Sequence, residues 1–138
     1  MRLWHIDLIP YLDRQRLLSQ HRECCALRGK GWGKKHATVD YVFSYSPAAL
    51  IVYHYKVMKE MKRRGYKPDS IWMDPCYRGK ILGEDTSFVD AAEVADLYNS
   101  NILFNEHDGA YFEECVRLLK EKMPEFYDEE WDREVFHQ

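Results

Sequence analysis

"SPAALIVYHYKVMKEMKRRG", residues 46–65, decides the fold. Ser46 suits a helix N-cap, and Pro47 follows at the first helical position, where no backbone N–H is needed for an intrahelical bond. The helix opened there runs to Gly65, a residue that commonly stops helices. Lys56, Lys59, Lys62, Arg63 and Arg64 crowd its later turns, where cations suit the negative end of the helix dipole. That dipole accounts for one or two of them, not for five.

Working outward, "YLDRQRLLSQHRECCALRG" (11–29) follows Pro10 with a helical pattern and ends at Gly29. "GKGWGKKHATVDYVFSYS" (29–46) has three glycines in its first five positions and reads as loop with some extended backbone. Residues 66–87, with Pro68, Pro75, Gly79 and Gly83, form a long connection. "FVDAAEVADLYNSN" (88–101) is a short helix candidate. "DGAYFEECVRLLKEKMP" (108–124) is a firmer one, bounded by Asp108 and Pro124. The tail from 125 suits a final turn or two of helix packed by its aromatics. Strand-type alternation is absent, so the sequence predicts an all-α, compact single domain (1–138) of three to five helices with long connecting loops.

A length of 138 residues fits one core. No apolar run approaches the roughly 20 residues of a membrane span. "MRLWHIDLIPYLDR" has no long apolar stretch and carries Asp7 early, unlike a signal peptide. The four cysteines include no C-x-x-C pair, and Cys24 and Cys25 are adjacent, so the expectation is a reduced, cytoplasmic protein. A monomer without a cofactor or metal is expected.

The net charge of −3 hides an asymmetry: residues 1–70 carry +8 and residues 71–138 carry −11. A basic half favours a polyanionic partner, because neutralising phosphates releases counterions. Two halves that neutralise each other across a packed interface explain the numbers equally well. The acidic half could wall the domain, face a partner protein, or repel DNA so that one face binds.

Glu23 is the one acid in "SQHRECCALRGKGWGKKHATV" (19–39), amid Arg22, Arg28, Lys30, Lys34, Lys35, His21 and His36. On a helix at about 100° per residue, Leu17, Leu18, His21, Cys24 and Cys25 share one apolar arc. Glu23 falls roughly opposite, flanked by Arg16, Ser19 and Ala26. A solvated carboxylate balanced by nearby arginines is the plain explanation. The basic loop and the end of the second helix instead look like a surface that follows a phosphate backbone. Its candidate contacts are Arg16, Arg28, Lys30, Trp32, Lys34, Lys35, His36, Lys62, Arg63 and Arg64. Trp32 serves there as a stacking or wedge residue, or else anchors the loop in the core.

The first 23 positions resemble phage endonuclease V, the pyrimidine-dimer DNA glycosylase family, without a gap. The likeness lies in the spacing of Leu8, Leu12 and Leu17 and in the pair Arg22-Glu23 at the same distance from the start. Lys34 to His36 ("KKH") is similar to the family's basic run, and "MKEMKRRGYKPD" (58–69) to the end of its central helix. The similarity fades after residue 70.

The resemblance implies damaged double-stranded DNA as the partner, and both glycosylase and abasic-site lyase activity. In the family the α-amine of the first residue attacks sugar C1′, the base is displaced, and an imine forms. β-Elimination then breaks the strand. An α-amine suits this because its ordinary pKa of about 7.7–8 leaves a neutral fraction. One carboxylate is needed to stabilise developing charge and manage protons, the role implied for Glu23, with Arg22 beside it. The family's nucleophile is a small residue exposed by removal of Met1. Here position 2 is Arg, so Met1 is expected to stay and to supply the amine, with Arg2 next to it. Two other readings stand beside this one. In a non-catalytic nucleic-acid-binding module, Glu23 would merely orient Arg22. In a metal-dependent hydrolase, His5, His21, His36, His54 and Glu23 would converge, although no ligand spacing supports it.

Overall fold

The computed structural model describes residues 1–100 and 102–136, and its regular elements are helical. Five α-helices appear: α1 Arg14–Arg28, α2 Pro47–Arg63, α3 Ala91–Tyr98, α4 Gly109–Lys122 and α5 Glu129–Phe136. Three 3-10 turns, Ile6–Tyr11, Asp40–Ser44 and Ser70–Met73, punctuate the connections. Among the described residues the only strand-like pairing is an isolated bridge between Tyr77 and Glu84. The expected all-α architecture is what forms. Asn101 ends the expected third helix, and the last two positions end the expected tail helix; all three lie outside the described residues.

The helix starts follow from short polar side chains that accept otherwise unpaired N–H groups. Asp13 caps α1, Ser46 caps α2, Asp90 caps α3 and Asp108 caps α4. Gly29 follows α1, but its φ is −91°, so the terminus needs no left-handed residue. The stretch 29–46 is tighter than expected, closing into turns and a 3-10 helix rather than extended backbone.

The amino-terminal half of α2 is buried on every side, from Ala48 through His54, so α2 is the central post. α1, α3 and the first two 3-10 turns pack around it. One apolar cluster gathers side chains from Leu3 to Val135. The carboxy-terminal segment is tied back to the start of α1. Tyr127 hydroxyl bonds the Asp13 carboxylate and accepts from the Asp13 N–H, and Trp131 Nε1 donates to the Tyr11 carbonyl at 2.7 Å. These ties bring α4 alongside the chain start and α1.

Candidate active site

The buried face of α1 is not the expected one. Leu17, Gln20, Cys24, Leu27 and Arg28 are buried, while Leu18, His21 and Cys25 are only half-buried. This rotates the buried arc by roughly 70° and brings Glu23 to its edge, half-buried rather than opposite the core. The cause is the segment Arg2–His5, which packs across this side of the helix.

Gln20, 1% exposed, is the fastener. The Trp4 N–H can only donate, and it does so to Gln20 Oε1 at 2.7 Å, which fixes the orientation of the amide. The Gln20 amide Nε2 then donates to the Arg2 carbonyl at 2.9 Å and to Glu23 Oε2 at 2.7 Å. Tyr53 hydroxyl lies 2.6 Å from the Trp4 carbonyl and 2.8 Å from Gln20 Oε1, sharing its proton between them.

Burial is the largest influence on Glu23 and raises its proton affinity above the ordinary carboxyl range. The positive chain-start amine, the Arg2 N–H, Gln20 and His36 pull the other way without overcoming it. Half-exposed Met1 is held through its carbonyl, which accepts from the Thr38 hydroxyl. The Arg2 side chain turns away to α4. Its guanidinium sits 5.6 Å from the Tyr111 ring centre and 3.4 Å from Glu114. A large residue at position 2 is thereby accommodated without filling the space beside Glu23.

That space is a pocket of about 420 Å³. Met1, Arg2, Trp4, Glu23 and Thr38 line one side, Gln15, Arg16 and Ser19 follow α1, and Leu118 and Lys122 of α4 form the far wall. The acidic half of the chain therefore contributes a wall and one cation. Gln20, Thr38, Leu118 and Lys122 were not legible as site residues. Only Gln20 carried a signal, as a polar residue one turn before Glu23.

The expected basic residues divide into three groups. Lys30, Lys34, Lys35 and His36 are exposed on the loop that leads to Thr38. Arg16 lines the pocket, with contacts of 3.3 Å to Met123 Sδ and 3.6 Å to Asp13. Arg22 is exposed and donates to Ser19 Oγ at 3.0 Å, so its side chain does not pair with Glu23. Lys62, Arg63 and Arg64 lie apart from the Glu23 pocket. Glu60 clasps Arg63 and Arg64, each at 2.6 Å, so this end of α2 is partly self-neutralised. Those two bonds outweigh burial and hold Glu60 below the usual carboxylate range.

Two expectations need correction. Arg28 is fully buried, not a phosphate contact. It donates to the carbonyls of Trp72 (2.8 Å), Asp74 (2.6 Å) and Tyr77 (3.0 Å), and lies 5.0 Å from the Trp72 ring centre. Trp32 packs edge-on against Phe43 and Phe88 beside the core, so it anchors the loop and is no free stacking platform.

His21, Cys25 and His54 come together, with His21 Nδ1 2.8 Å from His54 Nε2. Arg28 also donates to His54 Nδ1 at 3.0 Å, so that nitrogen has no proton and Nε2 carries it toward His21. A metal would need the Nε2 lone pair beside a buried guanidinium, and neutral imidazole cannot offer it in this tautomer. The cluster is a directed hydrogen-bond chain that gives one Arg28 nitrogen an acceptor, while the buried Arg28 Nε has none among the described residues.

Fold and site together define a helical protein that holds a half-buried carboxylate in one pocket with Met1, Arg2 and Thr38, where a basic loop ends. A sequence profile described as pyrimidine dimer DNA glycosylase matches residues 1–74, more than half of the chain, and the chain belongs to that family. No curated protein and no solved structure matches it significantly. The matched span contains Glu23, the Gln20 clamp and the basic loop, whereas the α4 wall lies beyond it.

Proposed function

We propose that this chain is a DNA repair glycosylase with abasic-site lyase activity on pyrimidine dimers or related lesions, acting through the Met1 α-amine and Glu23. The observation that carries the reading is the Gln20 clamp, which bonds the Arg2 carbonyl and the Glu23 carboxylate with one amide. Membership of the family supports damaged DNA as the substrate.

The neutral amine attacks C1′, and the glycosidic bond breaks with its electron pair leaving on the base. Loss of a proton from nitrogen and opening of the sugar ring give the imine. Removal of a C2′ proton then expels the 3′ phosphate, and water releases the sugar and regenerates the amine. Glu23 in its ionised form stabilises the cationic sugar and accepts the C2′ proton, a task suited to its raised proton affinity. Lys34, Lys35 and Lys30 hold phosphates along the loop. The four unpaired cysteines support action in the cytoplasm, and the chain acts as a monomeric single domain.

The test is borohydride reduction on duplexes carrying a thymine dimer or an abasic site, followed by peptide mass spectrometry. A covalent adduct on the Met1 nitrogen is expected, abolished by acetylating that amine. An adduct on Lys30 or Lys34 would reassign the nucleophile. Binding without any adduct would favour the non-catalytic module.

A further inference from the structure

Residues 77–84, "YRGKILGE", reverse the chain beyond the span matched to the family. Tyr77 bridges Glu84, the Arg78 N–H donates to the Gly83 carbonyl at 2.9 Å, and the Gly83 N–H to the Gly79 carbonyl at 2.7 Å. Gly79 and Gly83 have φ of 99° and 65°, which glycine adopts without steric cost. The tip between them is Lys80, Ile81 and Leu82. Ile81 is 76% exposed and Leu82 40%, and neither joins the core.

This tip is exposed but its stem is fixed. Arg78 Nε donates to the Arg28 carbonyl at 2.8 Å and its NH2 group to the Gly29 carbonyl at 3.2 Å. The same guanidinium lies 4.1 Å from the Phe88 ring centre, and Phe88 meets Trp32 edge-on. A side chain at position 29 would stand 3.0 Å from the Arg78 carbonyl, so Gly29 is what lets the stem dock. The apolar tip is therefore mounted at the end of α1, where the basic loop begins.

We propose that Ile81 and Leu82 form an apolar wedge that enters between base pairs of duplex DNA held by the basic loop. The inference rests on the DNA-binding reading above and extends it to how the duplex is deformed. Charge complementarity selects the occupant: Lys80 at the tip and Lys30, Lys34 and Lys35 on the basic loop are exposed. Asp85 is paired with Arg78 at 3.2 Å, and Glu84 sits at the base of the stem opposite Tyr77, away from the tip. Apolar wedges flanked by cations unstack base steps and kink the duplex. Gly29 lies six residues past Glu23, about 9 Å along the helix axis. At about 3.4 Å per base along a strand, the stem's anchor stands about three base steps from the carboxylate, so wedge and pocket engage one duplex. A kink there would open the stack around C1′.

The test uses duplexes with 2-aminopurine placed one to five base pairs from an abasic site, whose fluorescence rises on unstacking. Wild-type protein at low salt should raise the signal several-fold at one or two of these positions. Ile81→Ser/Leu82→Ser should bind with the same salt dependence but lose most of that rise, while Ile81→Leu should keep it. Both residues are exposed, and unchanged melting would confirm that the double variant folds. A full fluorescence rise in the double variant overturns the wedge and leaves the proposed function standing. Failure of wild-type protein to bind duplex overturns both. A concentration-dependent dimer that the double variant abolishes would assign the tip to self-association and overturn the wedge.

Discussion

The Gln20 amide donates to the Glu23 carboxylate at 2.7 Å, so one buried side chain sets the position of the carboxylate and of the backbone that carries the amine. Replacement by Leu would leave the Trp4 N–H and the Arg2 carbonyl without their partner. Unsatisfied buried groups cost about 1–3 kcal/mol each, so Gln20→Leu should lower stability by a few kcal/mol in urea unfolding. Gln20→Glu is the sharper variant. A second carboxylate beside Glu23 disfavours ionisation of both. The pH profile of strand cleavage should therefore move to higher pH, with DNA affinity changing little.

Glu23 costs stability in its ionised form. Its folded proton affinity is raised, chiefly by burial. The stability this confers is fully present below the ordinary carboxyl range and is lost as pH rises through the raised value. Glu23→Gln should therefore melt at higher temperature than wild type at pH 8, and the advantage should disappear near pH 4. Lesion cleavage should fall at least a hundredfold while binding survives. A variant that melts lower at pH 8 would show that Glu23 is structural.

The helices were legible where a cap marked them, as at Ser46-Pro47 and Asp108. The 3-10 turns were not, because four to six residues hold too little periodicity to register. The buried face of α1 was misplaced because it includes the amide of Gln20 and the guanidinium of Arg28. Both are buried by partners distant in sequence. A cation looks the same in sequence whether it faces water or carbonyl oxygens, which is why Arg28 read as a phosphate contact. Glu23 itself stood out as a lone acid in a basic run.

That difference between cations is measurable. Lys34→Ala removes an exposed charge and should leave melting nearly unchanged. The slope of log affinity against log salt should become shallower by about one unit. Arg28→Met breaks donations to three carbonyls and to His54. A loss of about 3 kcal/mol or more is expected. Any loss of DNA binding by Arg28→Met should track its unfolded fraction, with no change in salt slope for the folded protein.

Three histidines should make the fold acid-sensitive above the pH range where carboxylates titrate. His54 is held well below the ordinary imidazole value by burial, Arg28 and His21. His21 is lowered by burial, Arg22 and Arg28. His107 is lowered to about 3, by burial and then His5. Its Nδ1 accepts from the Ile6 N–H at 3.0 Å, so the neutral ring is built into the chain start. A depressed folded pKa gives stability that is present above the unfolded value, about 6.5, and lost as pH falls below it. Each such group removes about 1.4 kcal/mol per pH unit while the folded ring stays neutral. Urea unfolding should give nearly flat stability from pH 8 to 7, then a decline of up to about 3 kcal/mol per unit below 6.5, chiefly from the two deeply buried rings, His54 and His107. His54→Gln keeps an acceptor for Arg28 and should reduce that slope by about one proton. A stability flat from pH 7 to 5 would show that the rings protonate as readily folded as unfolded, contrary to the Arg28–His54–His21 chain.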